Sequence, residues 1–202
     1  MDSKAVNDVI ESAAGISLIT PDRLRNLAAA VQRTIGLHAD MAELGVYRGG
    51  SAKVIAAVRP GATLHLFDTF TGLPYSESAE HNPTGHDLHE GRFSCDWRQA
   101  ERFLQGFDVV FHIGVFPASA QTIEPYSFSF VHVDCDLYQS AADAIEFFWP
   151  RMLAGGIMYF DDYGCDFTGV TDAVNEHFPP NMIERQVEAS NGIAIGALVV
   201  KR

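Results

Sequence analysis

Residues 41–61, MAELGVYRGGSAKVIAAVRPG, change period within one short span. "MAELGV" is a brief apolar run interrupted by one acid, Glu43, and reads as a buried strand. "YRGGS" then supplies glycines for a sharp turn, and "SAKVIAAVR" continues as a helix that Pro60–Gly61 ends. Strand, glycine turn and helix make the first half of a βαβ unit.

The same alternation extends outward in both directions. "TLHLFD" (63–68), "FDVVFHIG" (107–114), "FSFVHVD" (128–134) and "GGIMYFDD" (155–162) are further short apolar runs. Between them lie "WRQAERFLQG" and "SAADAIEFFWPRML", both with helical pattern. Nearly continuous apolar strands alternating with helices indicate an α/β fold with a doubly wound, mostly parallel sheet covered on both faces. At the end, "NMIERQVEA" and "GIAIGALVV" flank Asn191–Gly192, which predicts an antiparallel C-terminal strand pair joined by a short turn. Upstream, "TPDRLRNLAAAVQRTIGL" offers Thr20 as N-cap and Pro21 at the first helical position, with Leu24, Leu27, Ala28, Val31 and Ile35 on one stripe. A single domain over 1–202 is expected, with a helical segment over 1–38, including a short helix within 3–14. The stretch 74–94, PYSESAEHNPTGHDLHEGRFS, is long and polar for a connection and is expected to serve as a lid.

Composition narrows the function. A hydrophobic share of 47% supports a sizeable core, and no apolar run reaches the roughly 20 residues of a membrane span. The start lacks the basic flank and apolar block of a secretory signal. Three cysteines, Cys95, Cys135 and Cys165, with no CxxC spacing, suit free thiols in a reducing compartment. A cytoplasmic protein is the expectation. The formal charge of −12 argues against nucleic acid or an anionic membrane as partner.

Two constellations carry chemistry. In "AELGVYRGGSA", Glu43, Gly45, Gly49 and Gly50 stand where a strand becomes a helix, at the strand end where doubly wound sheets bind ligands. Asp68 closes the next strand, where ribose hydroxyls would be held. Neither the GxGxxG of dinucleotide binders nor the GK[ST] of phosphate loops is present, so a nucleoside without pyrophosphate fits, S-adenosylmethionine above all. The second constellation is two acidic pairs at strand ends, Asp134 with Asp136 and Asp161 with Asp162. Four carboxylates on one rim would repel unless a hard divalent cation such as Mg²⁺ joined them. Tyr138 and Tyr163 follow the pairs closely and are candidates to line the pocket. Cys135, between two aspartates, is expected to pack on the opposite face. His112 and His132, inside strand-like runs, read as hydrogen-bonded core histidines, and Phe147, Phe148 and Trp149 as core or interface aromatics.

With "AELGVYRGGSA", "FDTFTGLP", "VDCDLYQSA" and "GGIMYFDDYG" in this order, the chain resembles the class I methyltransferases of the macrocin O-methyltransferase type over about residues 20–178. The resemblance implies a Rossmann-like seven-stranded fold, an S-adenosylmethionine site and Mg²⁺. Carried over by position, Glu43, Gly45, Tyr47, Gly49, Gly50 and Ser51 would cradle the cofactor together with Asp68 and Phe70. Asp134, Asp161 and Asp162 would hold the metal, and Asp136 would act as general base, with exchange of roles between Asp134 and Asp136 left open. The acceptor would be a sugar hydroxyl, approached by Tyr138, Tyr163, His86 and His89. The chain is shorter than the better-known members, and its 74–94 segment is rich in histidine. Two rivals stand beside this reading: a metal-dependent glycosyltransferase using "VDCD" as its DxD, and a non-catalytic cofactor-binding relative. A homo-oligomer packed through the N-terminal helix is compatible with either.

Overall fold

A computed structural model describes residues 3–121 and 126–202; residues 1–2 of the expected helical segment lie outside the described residues. Seven strands form one sheet: β1 Asp40–Leu44, β2 Leu64–Asp68, β3 Val109–Ile113, β4 Phe128–Val133, β5 Met152–Phe160, β6 Ile183–Arg185 and β7 Ala197–Val200. Their order is β3-β2-β1-β4-β5-β7-β6, with β1 to β5 parallel and β7 antiparallel to both neighbours. The helices are α1 Ser3–Ala13, α2 Pro21–Gln32, α3 Gly50–Val58, α4 Trp97–Phe103, α5 Tyr138–Phe148 and α6 Gly169–His177. Among the described residues no helix is long and apolar enough to cross a membrane.

Residue alternation along the strands assigns the two faces. Met41, Phe130, Ile157 and Tyr159 pack with Leu24, Leu27, Val31, Val54 and Ile55, so α1, α2 and α3 cover one side. Ala42, Val131, Val133, Met158 and Phe160 pack with Ala141, Ile145, Phe148, Val170 and Val174 of α5 and α6 on the other. At roughly 25 cal/mol per Å² of apolar surface, each fully buried Leu, Ile or Phe contributes about 1.5–3 kcal/mol before entropy is counted. Phe147 and Trp149 pack against this second core, and Phe148 is buried in it.

Helix α2 begins as its sequence dictates, with Thr20 Oγ1 accepting from Arg23 N at 3.3 Å and Pro21 at the first position. Its end differs from the expected stripe. After Gln32 the chain tightens into i→i−3 bonds, Thr34 N to Val31 O and Ile35 N to Gln32 O, which swings Ile35 out to 51% exposure. The C-terminal pair also differs. β6 and β7 are antiparallel but short, and residues 186–196 join them instead of a tight turn. In that connection Glu188 N bonds Ile193 O and Gly192 N bonds Glu188 O, so Asn191–Gly192 turns a loop and not the strands themselves. β7, moreover, inserts between β5 and β6, which makes it an interior strand.

Strand order reverses between β1 and β4, and such a switch point opens a crevice beyond the strand ends. Register fixes what meets there. Leu44 pairs Val133, which pairs Phe160. The ladder runs one residue further, with Asp134 N bonding Leu44 O at 2.8 Å and Asp161 N bonding Val133 O at 3.0 Å. Gly45, Asp134 and Asp161 are therefore side by side on the rim.

Candidate active site

A cavity of about 280 Å³ opens over this rim. Its floor is the glycine turn, and its walls come from the β4 and β5 ends, the start of α2 and the 72–74 and Phe93 parts of the loop after β2. The turn is built by close approach. Gly45 has φ +88°, and a Cβ there would lie 1.6 Å from the carbonyl oxygen of Asp134. Gly50 opens α3 beneath the N-terminal segment, where a Cβ would meet Ser17 Cβ at 2.5 Å. Side chains would part these backbones, so the glycines are required by packing.

Asp68 holds the turn from the neighbouring strand. Its Oδ2 accepts from Val46 N at 2.7 Å and Tyr47 N at 2.8 Å, and its Oδ1 accepts from Phe70 N at 2.7 Å. Tyr47 and Phe70, the residues it grips, both have positive φ, 50° and 56°. Non-glycine residues keep that conformation only where surrounding bonds enforce it. Gly45, Tyr47, Gly50, Ser51 and Asp68 line the cavity. Three other expected cofactor residues do not. Gly49 caps α3 and faces Leu104 and Ala100 of the next helical segment. Phe70 is buried against Phe111. Glu43 is wholly buried under the turn, because strand alternation directs it beneath α3 and not into the crevice.

Glu43 has a partner there that its own motif does not reveal. It is paired across the sheet with His132, and Oε1 lies 2.8 Å from His132 Nδ1 with both side chains fully buried. Tyr159 extends the same row on β5. His132 is thus a core histidine with a hydrogen bond, whereas His112 is half-buried on the edge strand β3 and bonds His65 at 2.9 Å. Glu43 Oε2 has no hydrogen-bond partner among the described residues.

The aspartates gather as their strand ends require. Oxygen atoms of Asp134, Asp161 and Asp162 lie within 4.8 Å of one another, a geometry that could hold a metal ion. Asp136 lines the same cavity outside that set, and its φ of 60° shows the chain bending sharply after Cys135. Cys135 itself packs in the α5–α6 core and also borders the cavity. Burial raises the proton affinity of Asp134 well above the carboxylate range, with Asp161, Asp162 and Asp136 adding to it. Asp136 is raised by burial and then by Asp162 and Asp161. Asp162 is pushed up to about 6, by burial first and by Asp161 next. Its Oδ2 is buried without a partner among the described residues.

One cation in the cluster was not singled out from the sequence. Arg23, on the first turn of α2, forks onto Asp161, with Nε 3.2 Å from Oδ1 and Nη2 in contact with Oδ2. The same Nη2 donates to Asp161 O at 3.0 Å and to Asp162 Oδ1 at 3.3 Å. Burial alone would lower the proton affinity of Arg23, but Asp161 and then Asp162 outweigh it and the net shift is upward. A signal existed in the sequence: Arg23 precedes Leu27 and Val31 by four and eight residues, so a charge heads an otherwise buried stripe.

The four candidate substrate residues are not in the cavity wall. Tyr138 donates to Glu176 of α6, stacks on His81 at 4.2 Å and opens α5, which turns it away from the rim. Tyr163 donates to Asn175 at 3.0 Å inside the second core. His86 and His89 are exposed in the 74–94 segment, where His89 pairs with Asp87 at 2.6 Å. That segment has no regular structure yet is well tied. Glu77 N bonds Leu88 O at 2.9 Å, Glu77 Oε2 accepts from Tyr138 N, and His81 lies 3.0 Å from Asp172. Leu73 and Leu88 pack with Leu137 beneath it.

Known proteins share this frame. In Streptomyces olivaceus, 8-demethyl-8-(2,3-dimethoxy-alpha-L-rhamnosyl)-tetracenomycin-C 4'-O-methyltransferase is 31% identical over 171 residues, covering 77% of this chain and 64% of the relative. The chain thus spans less than two thirds of that relative's length. The solved structure of the O-methyltransferase NovP superposes with a TM-score of 0.76 at 23% identity, covering 92% of this chain and 81% of NovP. An O-methyltransferase from Bacillus cereus, solved in complex with SAH, gives 0.61 at 17% identity, covering 100% of this chain and 92% of its own. At these identities the structures show the fold, a class I O-methyltransferase α/β fold. The macrocin-O-methyltransferase (TylF) family model matches residues 4–195, and with the glycine turn and both acidic strand ends inside that span, the chain belongs to the macrocin-O-methyltransferase family.

Proposed function

We propose that this chain transfers a methyl group from S-adenosylmethionine to a hydroxyl of a sugar carried by a natural product, with a divalent cation held by Asp134, Asp161 and Asp162. The observation that carries the reading is the meeting of these carboxylates beside a glycine turn at the switch point. The relative from Streptomyces olivaceus, whose name describes 4'-O-methylation of a rhamnosyl tetracenomycin, supplies the acceptor class.

The residues present suit both the cation and the cofactor. An all-oxygen donor set is what Mg²⁺ or Mn²⁺ takes, and Asp162 Oδ2 stands buried and unpartnered among the described residues. Gly45, Gly50 and Ser51 line the cavity at the start of α3, where a helix N-terminus can face a ligand. On Asp68, Oδ2 already accepts two amides while Oδ1 accepts one, which leaves Oδ1 a lone pair for a ribose hydroxyl.

When bound, the cofactor supplies a methyl already activated on a sulfonium, and the cation makes the acceptor hydroxyl more acidic. Asp136, which lines the same cavity beside the cluster, would take the acceptor's proton at its carboxylate, a task that needs hydrogen-bond reach. The negative rim favours a cationic donor over an anionic one. Leu73, Pro74 and Phe93 present an apolar wall from the segment after β2, which acts as the lid that keeps water from the transfer.

Calorimetry separates this from the glycosyltransferase rival. S-adenosylhomocysteine is expected to bind, and uridine diphosphate with Mn²⁺ is expected not to. With a rhamnosylated acceptor, excess chelator is expected to stop methyl transfer. Binding of the nucleotide and not of the homocysteine would overturn the reading, and full turnover in chelator would remove the metal from it.

A further inference from the structure

We infer that Arg23 is an internal counter-ion that competes with the divalent cation for Asp161 and Asp162, and so sets the cation affinity of the site. The inference rests on reading the aspartate cluster as a cation site.

Three observations support it. The guanidinium engages both carboxylate oxygens of Asp161 and Oδ1 of Asp162, so it occupies lone pairs on two of the three residues grouped as donors. Its side chain is only 14% exposed, and two positive charges brought together at such a site repel with little screening by water. Asp161 and Asp162 are themselves 3% and 6% exposed, and Asp162 Oδ2 remains without a partner among the described residues. Arg23 therefore offsets part of the repulsion among four buried or half-buried carboxylates while leaving a vacant acceptor for the ion. A residue serving only to orient Asp161 would be expected to leave the second carboxylate free.

The first turn of α2 is not itself the moving part. Thr20 Oγ1 donates to Glu188 Oε1 at 2.9 Å, Ser190 N donates to Asp22 Oδ2 at 2.7 Å, and Asn26 Nδ2 donates to Val187 O at 3.0 Å. These bonds pin the helix start to the 186–193 loop. With the backbone pinned, the Arg23 side chain is the part that would have to give way to an ion on Asp161 and Asp162.

The test titrates Mn²⁺ into the full chain, followed by electron paramagnetic resonance of the free ion, for wild type, Arg23→Met, Arg23→Gln and Asp162→Asn. Removing a neighbouring positive charge is expected to tighten Mn²⁺ binding by about tenfold or more in both arginine variants. Asp162→Asn is expected to weaken it at least as strongly. Without Mn²⁺ the arginine variants are expected to melt below wild type, since the carboxylates lose their counter-ion. Saturating Mn²⁺ is expected to raise their Tm by more than it raises that of wild type. Methionine removes the charge and glutamine keeps a polar end among the carboxylates; either variant that folds suffices. Unchanged or weaker Mn²⁺ binding in a folded arginine variant overturns the competition and makes Arg23 a positioning residue for Asp161. Failure of every protein, wild type included, to bind Mn²⁺ overturns the cation site and this inference with it.

Discussion

Replacing Gly45 by Ala tests how the rim is built. At Gly45 the backbone has φ +88° and the new Cβ would lie 1.6 Å from Asp134 O and 2.7 Å from Asp134 C. Gly61 has the same φ of +88° but nothing within 4 Å of its added Cβ, so Gly61→Ala carries the backbone strain alone. A left-handed alanine costs about 1–2 kcal/mol, and the stiffer unfolded chain returns about 0.4–1 kcal/mol. Gly61→Ala is therefore expected to lose about 1 kcal/mol. Gly45→Ala adds an overlap that only a shift between β1 and β4 relieves, and overpacking of this kind costs about 1–3 kcal/mol more. The shift also carries Asp134 away from Asp161. Urea unfolding followed by circular dichroism should place Gly45→Ala about 1–3 kcal/mol below Gly61→Ala. Calorimetry should show S-adenosylhomocysteine binding lost in the first and kept in the second. Equal stability of the two variants would refute the close-approach account.

The two aspartates of "VDCD" should separate by function. Asp136→Asn is expected to lower kcat by about 100-fold or more while keeping Mn²⁺ affinity, whereas Asp134→Asn should weaken Mn²⁺ binding first. Exchange of these two outcomes would reverse the roles. His132→Leu strands the buried Glu43 carboxylate, so a loss of about 3–5 kcal/mol in urea unfolding is expected. A loss under 1 kcal/mol would mean that Glu43 finds another partner. His81→Ala removes the stack on Tyr138 and the contact with Asp172, which should cost about 0.5–1.5 kcal/mol and speed limited proteolysis within 74–94. Unchanged cleavage rates would show that the Glu77 bonds and the leucines hold the segment without His81.

Much of this arrangement was legible from residue patterns. Alternation of short apolar runs with helices identified the parallel sheet, and the glycine turn and the acidic strand ends identified the rim where a ligand would lie. These signals are local, which is why single segments carry them. What stayed hidden depends on parity and on neighbours distant in sequence. Glu43 looked like a ligand residue because it adjoins the turn, yet alternation sends it beneath α3 to His132, 89 residues away. Tyr138 and Tyr163 follow the aspartates so closely that a shared pocket was natural to expect, but each ring turns toward α6. The Ile35 stripe continued on paper past the point where the helix tightens and stops. Arg23 was visible only as one charge on an apolar stripe, and its partners lie 138 and 139 residues further along the chain.

The central claim is that one rim holds both a methyl donor and a divalent cation. A crystal of the full chain grown with S-adenosylhomocysteine and Mn²⁺, with data collected at the manganese absorption edge, measures it directly. One anomalous peak coordinated by oxygens of Asp134, Asp161 and Asp162 is expected, with the homocysteine along the 45–51 turn. Manganese bound elsewhere, or the turn left empty by the homocysteine at saturating concentration, would contradict it.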